Sequence, residues 1–218
     1  DETVGPHGRK TWRLLTADGL AQVTFPFDDA LALYLGRRFL APLTGTPIGE
    51  AANRAFSKVR ACLCKSAARY LESMAGRWYL TFVGGDYSSK GEVLEQLLLG
   101  LEDHKATHIE YQSLQATEPV TYEVHPYALV WHRGSLYLIA HSRDHDETRT
   151  FKVDRIEAAE ASSFPFAMPE DFDLANFMRG AFGIFVGTGD VRIKVRFRSA
   201  VARYVEESTW HASQKLSR

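Results

Sequence analysis

Residues 136–156, "LYLIAHSRDHDETRTFKVDRI", are predicted to form two β-strands joined by a polar turn. The first strand is apolar apart from Tyr137. The second strand interleaves the cations Arg149, Lys152 and Arg155 with apolar residues. A half-buried strand that keeps three cations needs acidic partners or an anionic ligand. The choice between these two explanations decides how the function of the chain is interpreted.

The residues around this stretch alternate apolar and polar positions with a period of two, which is typical of β-strands. They follow a segment with helical spacing, residues 90–104. A helix followed by a compact run of short antiparallel strands predicts an α+β fold, with the helix packed against a small closed or nearly closed β-barrel. The predicted strands are "THIEYQSL" (107–114), "TYEVHPYALVWHRG" (121–134), "SLYLIAHS" (135–142) and "TRTFKVDRIEAAEAS" (148–162).

The part of the chain before this region is predicted to be mostly helical. One helix runs through "ALALYLGRRFLAPL" (30–43). A second begins after Thr46, a suitable N-cap, with Pro47 in its first position, and ends near residue 74. Two extended pieces are predicted, "KTWRLL" (10–15) and "RWYLTFV" (77–83).

The part after the predicted barrel contains a linker and the beginning of another domain. Residues 164–190 include two prolines and a short helical or irregular segment. "DVRIKVRFR" (190–198) alternates apolar and cationic residues and predicts a strand, and "SAVARYVEES" (199–208) predicts a helix. The predicted domains are a helical connector region (1–86), the barrel (87–163), the linker (164–190) and the start of a small α+β domain (191–218).

The overall composition is that of a soluble globular protein. The 218 residues are 45% hydrophobic and 24% charged. A net charge of -1 differs from the strongly basic balance of proteins that coat duplex DNA. The apolar runs are too short to span a bilayer, which predicts a cytoplasmic protein with no membrane partner. Cys62 and Cys64 lie two apart on a predicted helix and point in different directions, which predicts reduced thiols.

The sequence contains none of the common catalytic motifs. It has no nucleophile elbow, no phosphate-binding P-loop and no H-E-x-x-H metal motif. "HSRDHD" (141–146) groups four ionisable side chains, but solvated turn chemistry accounts for them. The sequence therefore predicts a protein that is not an enzyme, with no cofactor and no metal site.

Residues 124–156 resemble the core of a WYL domain, a family named for a Trp-Tyr-Leu triplet on a central strand. The resemblance spans roughly residues 90–162. Its most specific part is "RTFKVDRI" (149–156), which matches the family pattern R-x-F-[RK]-[LV]-D-R-I nearly position by position, and the pair His125-Pro126 also fits. The resemblance implies a small SH3-like barrel with a helix packed against it.

A literal Trp-Tyr-Leu occurs at residues 78–80, but it precedes the helix predicted over 90–104 and lies outside the barrel. The equivalent of the family triplet is Leu136-Tyr137-Leu138, where leucine replaces the tryptophan and the tyrosine is kept. One further departure concerns Tyr122, because many members of the family carry a basic residue near that position.

The flanking regions also resemble parts of bacterial transcription regulators that contain WYL domains. Residues 28–76 resemble the connector that follows an N-terminal winged helix-turn-helix, and the stretch from residue 191 resembles the start of a C-terminal extension. The resemblance implies a regulator that lacks its DNA-binding head and part of its C-terminal extension. It also implies operator DNA as a partner, through that head, and a homodimer.

Composition alone favours ion pairs with Asp154, Glu157 or Glu123 as the explanation for the three cations. The resemblance reverses this preference, because WYL domains are regarded as ligand-sensing modules and several bind single-stranded nucleic acid or nucleotides. Arginine suits phosphate, and tyrosine offers a stacking surface for bases. The predicted ligand-binding residues are His125, Tyr137, Arg149, Lys152 and Arg155, with Tyr111, Ser113 and Tyr127 as additional candidates.

On an ideal strand Arg149, Phe151, Val153 and Arg155 share one face, although a bulge would shift this by one residue. Two other functions stay open at this stage. The barrel and helices could serve only for dimerisation, or the chain could be an enzyme that acts on nucleic acid or a nucleotide. Loss of ligand affinity on replacing Arg149 and Arg155 separates binding from dimerisation, and a metal-dependent turnover assay tests the enzyme.

Overall fold

The computed structural model describes residues 2–4, 10–12, 27–61, 63, 65–81, 83–187, 189 and 191–217. The predictions for Cys62 and Cys64 lie outside these residues. The chain divides into two units, residues 1–38 with 56–79 and residues 39–55 with 80–218. Among the described residues, no helix combines the length and the apolar character needed to cross a bilayer.

The first unit contains a short hairpin and helices. Strands β1 (Glu2–Val4) and β2 (Lys10–Trp12) pair antiparallel, with Glu2 opposite Trp12. The helices are α1 (Phe27–Phe39), the second half of α2 (Pro47–Ala61) and α3 (Lys65–Ala75). Ala30 of α1 and Leu71 of α3 are buried.

The predicted start of α2 is confirmed, but the single long helix is wrong. The hydroxyl oxygen of Thr46 accepts a hydrogen bond from the amide of Gly49 at 3.2 Å, and α2 begins at Pro47. The helix then ends at Ala61. The amide of Leu63 donates to the carbonyl of Arg60, three residues back, and this tighter turn ends α2 before α3 begins.

The strand predicted over 77–83 is also wrong, because the described residues there have no regular secondary structure. The amide of Trp78 instead donates to the carbonyl of Ala75 and closes the end of α3. Tyr79 is 88% exposed and Val83 87% exposed, so this apolar run finds no sheet to pair with.

The second unit is built on a five-stranded antiparallel sheet with strand order β6-β5-β4-β3-β7. Helix α4 (Gly91–Glu102) packs on one side of the sheet, which we call the inner face. Val93, Leu94 and Leu97 of the helix share a core there with Leu138 and Phe151. The strands are β3 (Lys105–Tyr111), β4 (Val120–His132), β5 (Ser135–Ser142), β6 (Glu147–Lys152) and β7 (Ile156–Pro165).

The helix and the antiparallel strands confirm the predicted α+β class, but the sheet is open, so the predicted closure into a barrel is not found. A 3₁₀ turn, Val153–Arg155, carries the chain from β6 at one edge to β7 at the other. Three residues span about 10 Å, so the sheet curves strongly and brings these strand ends near each other. No β6–β7 ladder forms within the described residues.

The chain after β7 returns across the other side of the sheet, which we call the outer face. Residues 166–187, which we call the strap, contain the short helix α5 (Leu174–Arg179) and buried Ala181 and Ile184. The strand predicted over 190–198 does not form in its described part, residues 191–198, where Val191 is 81% exposed and no described strand pairs with it. The helix predicted next is confirmed as α6 (Ser199–Glu206).

Candidate ligand-binding surface

The pairing of β5 with β6 decides which predicted side chains share a face. Leu138 lies opposite Phe151, and both belong to the core on the inner face. The neighbouring pair, Tyr137 and Lys152, therefore points to the outer face. His141 follows Tyr137 by four residues on β5, so it lies on the outer face too.

His125 joins this set, because it lies opposite His141 on β4. The structure thus brings His125, Tyr137 and Lys152 to one face of three adjacent strands. Tyr137 and His141 are about 14 Å apart along β5, at about 3.4 Å per residue. The outer face therefore has two ends, one at Tyr137 and one at His125.

The Tyr137 end carries positive charge beside an aromatic ring. The ammonium of Lys152 lies 3.8 Å from a carboxylate oxygen of Asp154, and the Lys152 side chain is 27% exposed. Tyr137 is half-buried, and within the described residues its hydroxyl makes no hydrogen bond. This phenol group is free to meet a ligand.

Arg155 stands at the end of the 3₁₀ turn next to this pair. Its backbone carbonyl accepts a hydrogen bond from the amide of Gln112 at 3.1 Å, which ties the turn to the end of β3. Its guanidinium forms no ion pair with any described residue. Arg155 is thus a partly buried cation whose charge is not neutralised locally, which is the condition that favours an anionic ligand.

Asp154 has a structural role that the sequence interpretation did not identify. The hydroxyl of buried Tyr87 donates to Asp154 at 2.6 Å and accepts from the amide of Leu136 at 2.6 Å. Burial and the carboxylate of Asp154 raise the pKa of Tyr87, so this phenol stays protonated. Gly85 lies so close to Asp154 that a Cβ there would overlap the carboxylate. These contacts fix the 3₁₀ turn, and with it Arg155.

Tyr87 was missed because its segment, "GGDYSS", has the composition of a plain turn. The available signals were a tyrosine between turn residues and an aspartate inside the R-x-F-K-V-D-R-I pattern. Neither Tyr87 nor Asp154 indicates the other as its hydrogen-bond partner, because they lie 67 positions apart in the sequence.

Arg149 occupies a different environment from Arg155. It alternates with Phe151 and so points toward the inner face at the edge of the sheet, opposite Ala140. Its Nε lies 2.6 Å from a carboxylate oxygen of Glu147, and both side chains are well exposed. The 3₁₀ turn interrupts the strand after Lys152, so the single face predicted for residues 149 to 155 does not extend to Arg155.

Only part of the predicted ion pairing forms. Asp154 approaches Lys152, as predicted, but Arg149 pairs with Glu147. Glu123 accepts a hydrogen bond from Arg143 at 2.9 Å and makes no ion pair with the three cations in the described part of the chain. Ion pairs therefore account for Arg149 and partly for Lys152, and leave Arg155 without an acidic partner.

The His125 end is covered by rings from the strap. The ring of His125 stacks on Phe166, with centroids 4.7 Å apart and planes 5° apart. Tyr127 lies in a bulge of β4, and its ring is 4.7 Å from that of Phe172 and 6.1 Å from that of Phe166. Phe166 thus occupies the stacking surface of His125, and Phe172 packs on Tyr127 with the ring planes tilted by 49°.

The strap also sets the electrostatics of this end. Burial lowers the pKa of His125; the charges of His141 and Arg143 act in the same direction, and Glu123 opposes them. Burial and the charge of Asp171 in the strap raise the pKa of Tyr127. Both side chains are therefore neutral near pH 7.

The remaining candidates lie off the outer face. Tyr111 packs edge-on against Phe151 on the inner face, with ring centroids 5.2 Å apart, and its hydroxyl is 3.5 Å from the amide of Lys152. Ser113 is exposed in the loop after β3. The described residues include no group of three or more His, Cys, Asp or Glu placed to hold a metal ion.

Comparison with known proteins identifies the middle of the chain. Residues 92–161 match the WYL domain model, which confirms the WYL domain predicted there. The literal Trp-Tyr-Leu at residues 78–80 lies outside this match, and Leu136-Tyr137-Leu138 lies inside it.

The match to each individual relative covers only part of that relative's length. The proteins named "Protein PafB" from Mycobacterium tuberculosis and Mycobacterium bovis are 33% identical over 67 residues, which is 31% of this chain and 20% of theirs. The chain thus matches about a fifth of the curated relatives. A solved structure, proteasome accessory factor B/C (PafBC) of Arthrobacter aurescens, has 21% identity and a TM-score of 0.37, covering 68% of this chain and 22% of that one.

Proposed function

Because residues 92–161 form a WYL domain, we propose that the chain is the ligand-sensing region of a bacterial transcription regulator. Its outer face binds single-stranded DNA or a nucleotide-like anion at the Tyr137 end. The observation that carries this proposal is the guanidinium of Arg155, which forms no ion pair in the described part of the chain and stands three residues after Lys152, at the end of the turn that follows β6. The protein acts in the cytoplasm as a regulator and not as an enzyme.

The chemistry of this end suits a nucleotide. The planar guanidinium of Arg155 can donate two parallel hydrogen bonds to a phosphate, and Lys152 adds a second cation. The ring of Tyr137 offers a stacking surface, and stacking on an aromatic ring contributes about 1–3 kcal/mol per base. Cations next to an aromatic ring are the usual composition of surfaces that bind single strands.

Regulation requires that the ligand bind two states of the protein with different affinity. We propose a homodimer whose subunit arrangement changes on ligand binding. A DNA-binding head outside this chain would then change its fit to an operator. Operator binding that no ligand alters would remove the sensing role.

The first test is a titration of this chain with fluorescein-labelled single-stranded DNA, followed by fluorescence anisotropy at two salt concentrations. We expect binding that weakens as salt rises, because cations on the protein release counterions from the phosphates. The variant Lys152→Gln/Arg155→Gln should lose this binding. No binding by the folded wild-type chain at low salt would contradict the proposal.

The matched control is Arg143→Gln/Arg203→Gln, which removes the same number of positive charges. Arg143 is paired with Glu123 and Arg203 with Glu207, and both arginines are exposed. If the control loses as much affinity as the test variant, general charge attraction explains the binding and the proposed site is wrong.

A second candidate function is a module that only dimerises and binds no ligand. It is favoured by the segment 191–198, where Ile193 is 71% exposed and Val195 61% exposed, because such a row of exposed apolar side chains is typical of an interface. Sedimentation of the wild type and of Ile193→Lys tests this candidate. A dimer that dissociates in the variant, together with no oligonucleotide binding by either protein, would favour dimerisation alone.

A further inference from the structure

The strap covers the His125 end of the outer face through aromatic contacts. The amide of Phe166 donates to the carbonyl of His104 at 2.8 Å, which holds the start of the strap at the entrance to β3. From there Phe166 stacks on His125, and Phe172 packs against Tyr127. Phe166 and Phe172 both stay half-exposed, whereas Ala181 and Ile184 further along the strap are buried.

The strap has an unusual pattern of charges and rings. Between Phe166 and Phe177 it contains Glu170, Asp171 and Asp173 and no lysine or arginine. Planar rings alternating with negative charges are the physical characteristics of single-stranded nucleic acid, which presents bases on a phosphate backbone. The charge of Asp171 helps to raise the pKa of Tyr127, so this carboxylate of the strap lies near the Tyr127 hydroxyl.

We propose that the strap is an internal substitute for the nucleic-acid ligand and must be displaced for a single strand to bind along the whole outer face. Phe166 and Phe172 hold the positions on His125 and Tyr127 that two bases take in the complex. No described aromatic ring contacts Tyr137, so the ligand binds at the Tyr137 end first. This inference rests on the proposed function and adds its regulation.

Because the strap must open before the ligand can bind along the whole face, the closed strap lowers the apparent affinity for the ligand. When only a fraction of the molecules is open, the apparent dissociation constant equals the intrinsic constant divided by that fraction. A strap that is closed in about nine molecules of ten weakens binding about tenfold, equivalent to about 1.4 kcal/mol. Loss of the two strap rings should restore this factor.

The test compares the wild type with Phe166→Ala/Phe172→Ala. The probe is a fluorescein-labelled single-stranded thymidine oligonucleotide of about 12 nucleotides, a length within the range that single-strand-binding domains cover. We expect the double variant to bind about tenfold more tightly. The control is Phe164→Ala, because Phe164 is 72% exposed, lies near the end of β7 just before the strap and makes no ring contact among the described residues. It should bind like the wild type.

Hydrogen exchange provides a second measurement on the unmodified chain. The amides of Phe166 and Phe177 are hydrogen-bonded in the closed strap, to the carbonyls of His104 and Asp173. Adding the oligonucleotide to the wild type should speed exchange at Phe166, because a base that stacks on His125 displaces the ring of Phe166. The hydrogen bonds of the β4–β5 ladder should keep their protection.

The possible outcomes distinguish a failure of the inference about the strap from a failure of the proposed function. If the oligonucleotide binds wild type and double variant equally and Phe166 stays protected, the strap is only a structural cover and this inference is wrong, while nucleic-acid binding stands. If neither protein binds, the proposed function fails and the inference with it. Should the alanine variant unfold, Phe166→Leu/Phe172→Leu keeps the apolar contact, removes the stacking and must show the same gain in affinity.

Discussion

The two ends of the outer face lie on the same strands but differ in what covers them. At the Tyr137 end, the ring of Tyr137 makes no ring contact within the described residues, and Arg155 has no acidic partner there. At the His125 end, Phe166 and Phe172 already occupy the ring surfaces. The difference lies in the part of the strap next to each end: Phe166 and Phe172 pack on the rings of the His125 end, whereas Gly183, further along the strap, lies against His132 near the Tyr137 end.

The comparison shows that a residue type suited to binding is not sufficient, because the side chain must also be free of competing partners. His125 and Tyr137 are equally good stacking groups by composition, but Phe166 stacks on His125, whereas no described ring contacts Tyr137. Arg149 and Arg155 are equally good phosphate ligands, but Glu147 already neutralises Arg149. Function therefore depends on which groups the fold leaves without partners.

The largest expected effect concerns the two arginines. Arg155→Gln should weaken binding of single-stranded DNA about tenfold to a hundredfold, because a hydrogen bond to a charged group contributes about 1.5–3 kcal/mol. Fluorescence anisotropy measures the change. The dependence of the logarithm of affinity on the logarithm of salt concentration should also lose about one unit of slope.

Arg149→Gln is the paired comparison. Exposed ion pairs contribute about 0–1 kcal/mol, so we expect a loss of affinity below about fivefold. Equal losses of affinity in the Arg149→Gln and Arg155→Gln variants would show that the ion pair with Glu147 does not keep Arg149 from binding the ligand. The proposed contrast between the two arginines would then be wrong.

The next effect is on stability and concerns how the open end is built. Tyr87→Phe should lower the free energy of unfolding by about 1–3 kcal/mol, because it leaves Asp154 and the amide of Leu136 without a buried hydrogen-bond partner. Denaturant unfolding followed by circular dichroism measures the change. The same variant should weaken ligand binding, since the turn that carries Arg155 loses its anchor.

Tyr137→Phe is the control for this prediction. It removes a hydroxyl that makes no hydrogen bond within the described residues, so the free energy of unfolding should change by less than about 0.5 kcal/mol. If Tyr137→Phe destabilises the protein as strongly as Tyr87→Phe, the Tyr137 hydroxyl is structural and does not await a ligand.

The helices and strands that depend on a local sequence pattern were predictable from the sequence. The period of two placed β3 to β7, the helical spacing placed α4, and Thr46 with Pro47 placed the start of α2. Pairing between distant segments was not predictable, because no local signal joins Tyr87 to Asp154 or Phe166 to His125. The strand expected over residues 191–198 shows the same limit, since alternation indicates a strand only where another strand is present to pair with it.

The candidate site was predictable in its residue types but not in its arrangement. The pattern "RTFKVDRI" predicted Arg149, Lys152 and Arg155 as ligand-binding residues, and the register of β5 with β6 places Lys152 on the same face as Tyr137. The turn after Lys152 changes the face of the residues that follow, and strand geometry alone does not indicate where a strand stops. The availability of each cation depended on Glu147, which the sequence did not indicate as a partner, and on Asp154, which was predicted to pair with the cations but not to accept from Tyr87.

The smallest expected effect is a pH dependence at the covered end. Because the folded-state pKa of His125 is lowered, mainly by burial, the folded protein binds a proton there less readily than the unfolded chain. The stabilising contribution of neutral His125 is complete above the unfolded pKa of about 6.5 and is lost as the pH falls through the folded pKa. Acidification should therefore destabilise the folded state and loosen the strap, because charging the imidazole favours its exposure to water.

Unfolding free energies measured between pH 5 and pH 8, about one to two units on either side of that value, test this expectation for wild type and His125→Gln. The variant should show a weaker fall in stability on acidification, and exchange at the amide of Phe166 should become less dependent on pH. His108→Gln is the control, because His108 lies on the adjacent strand β3 with an exposed side chain near Glu123. If His108→Gln flattens the profile as much as His125→Gln does, the contact with Phe166 is not what makes the covered end sensitive to pH.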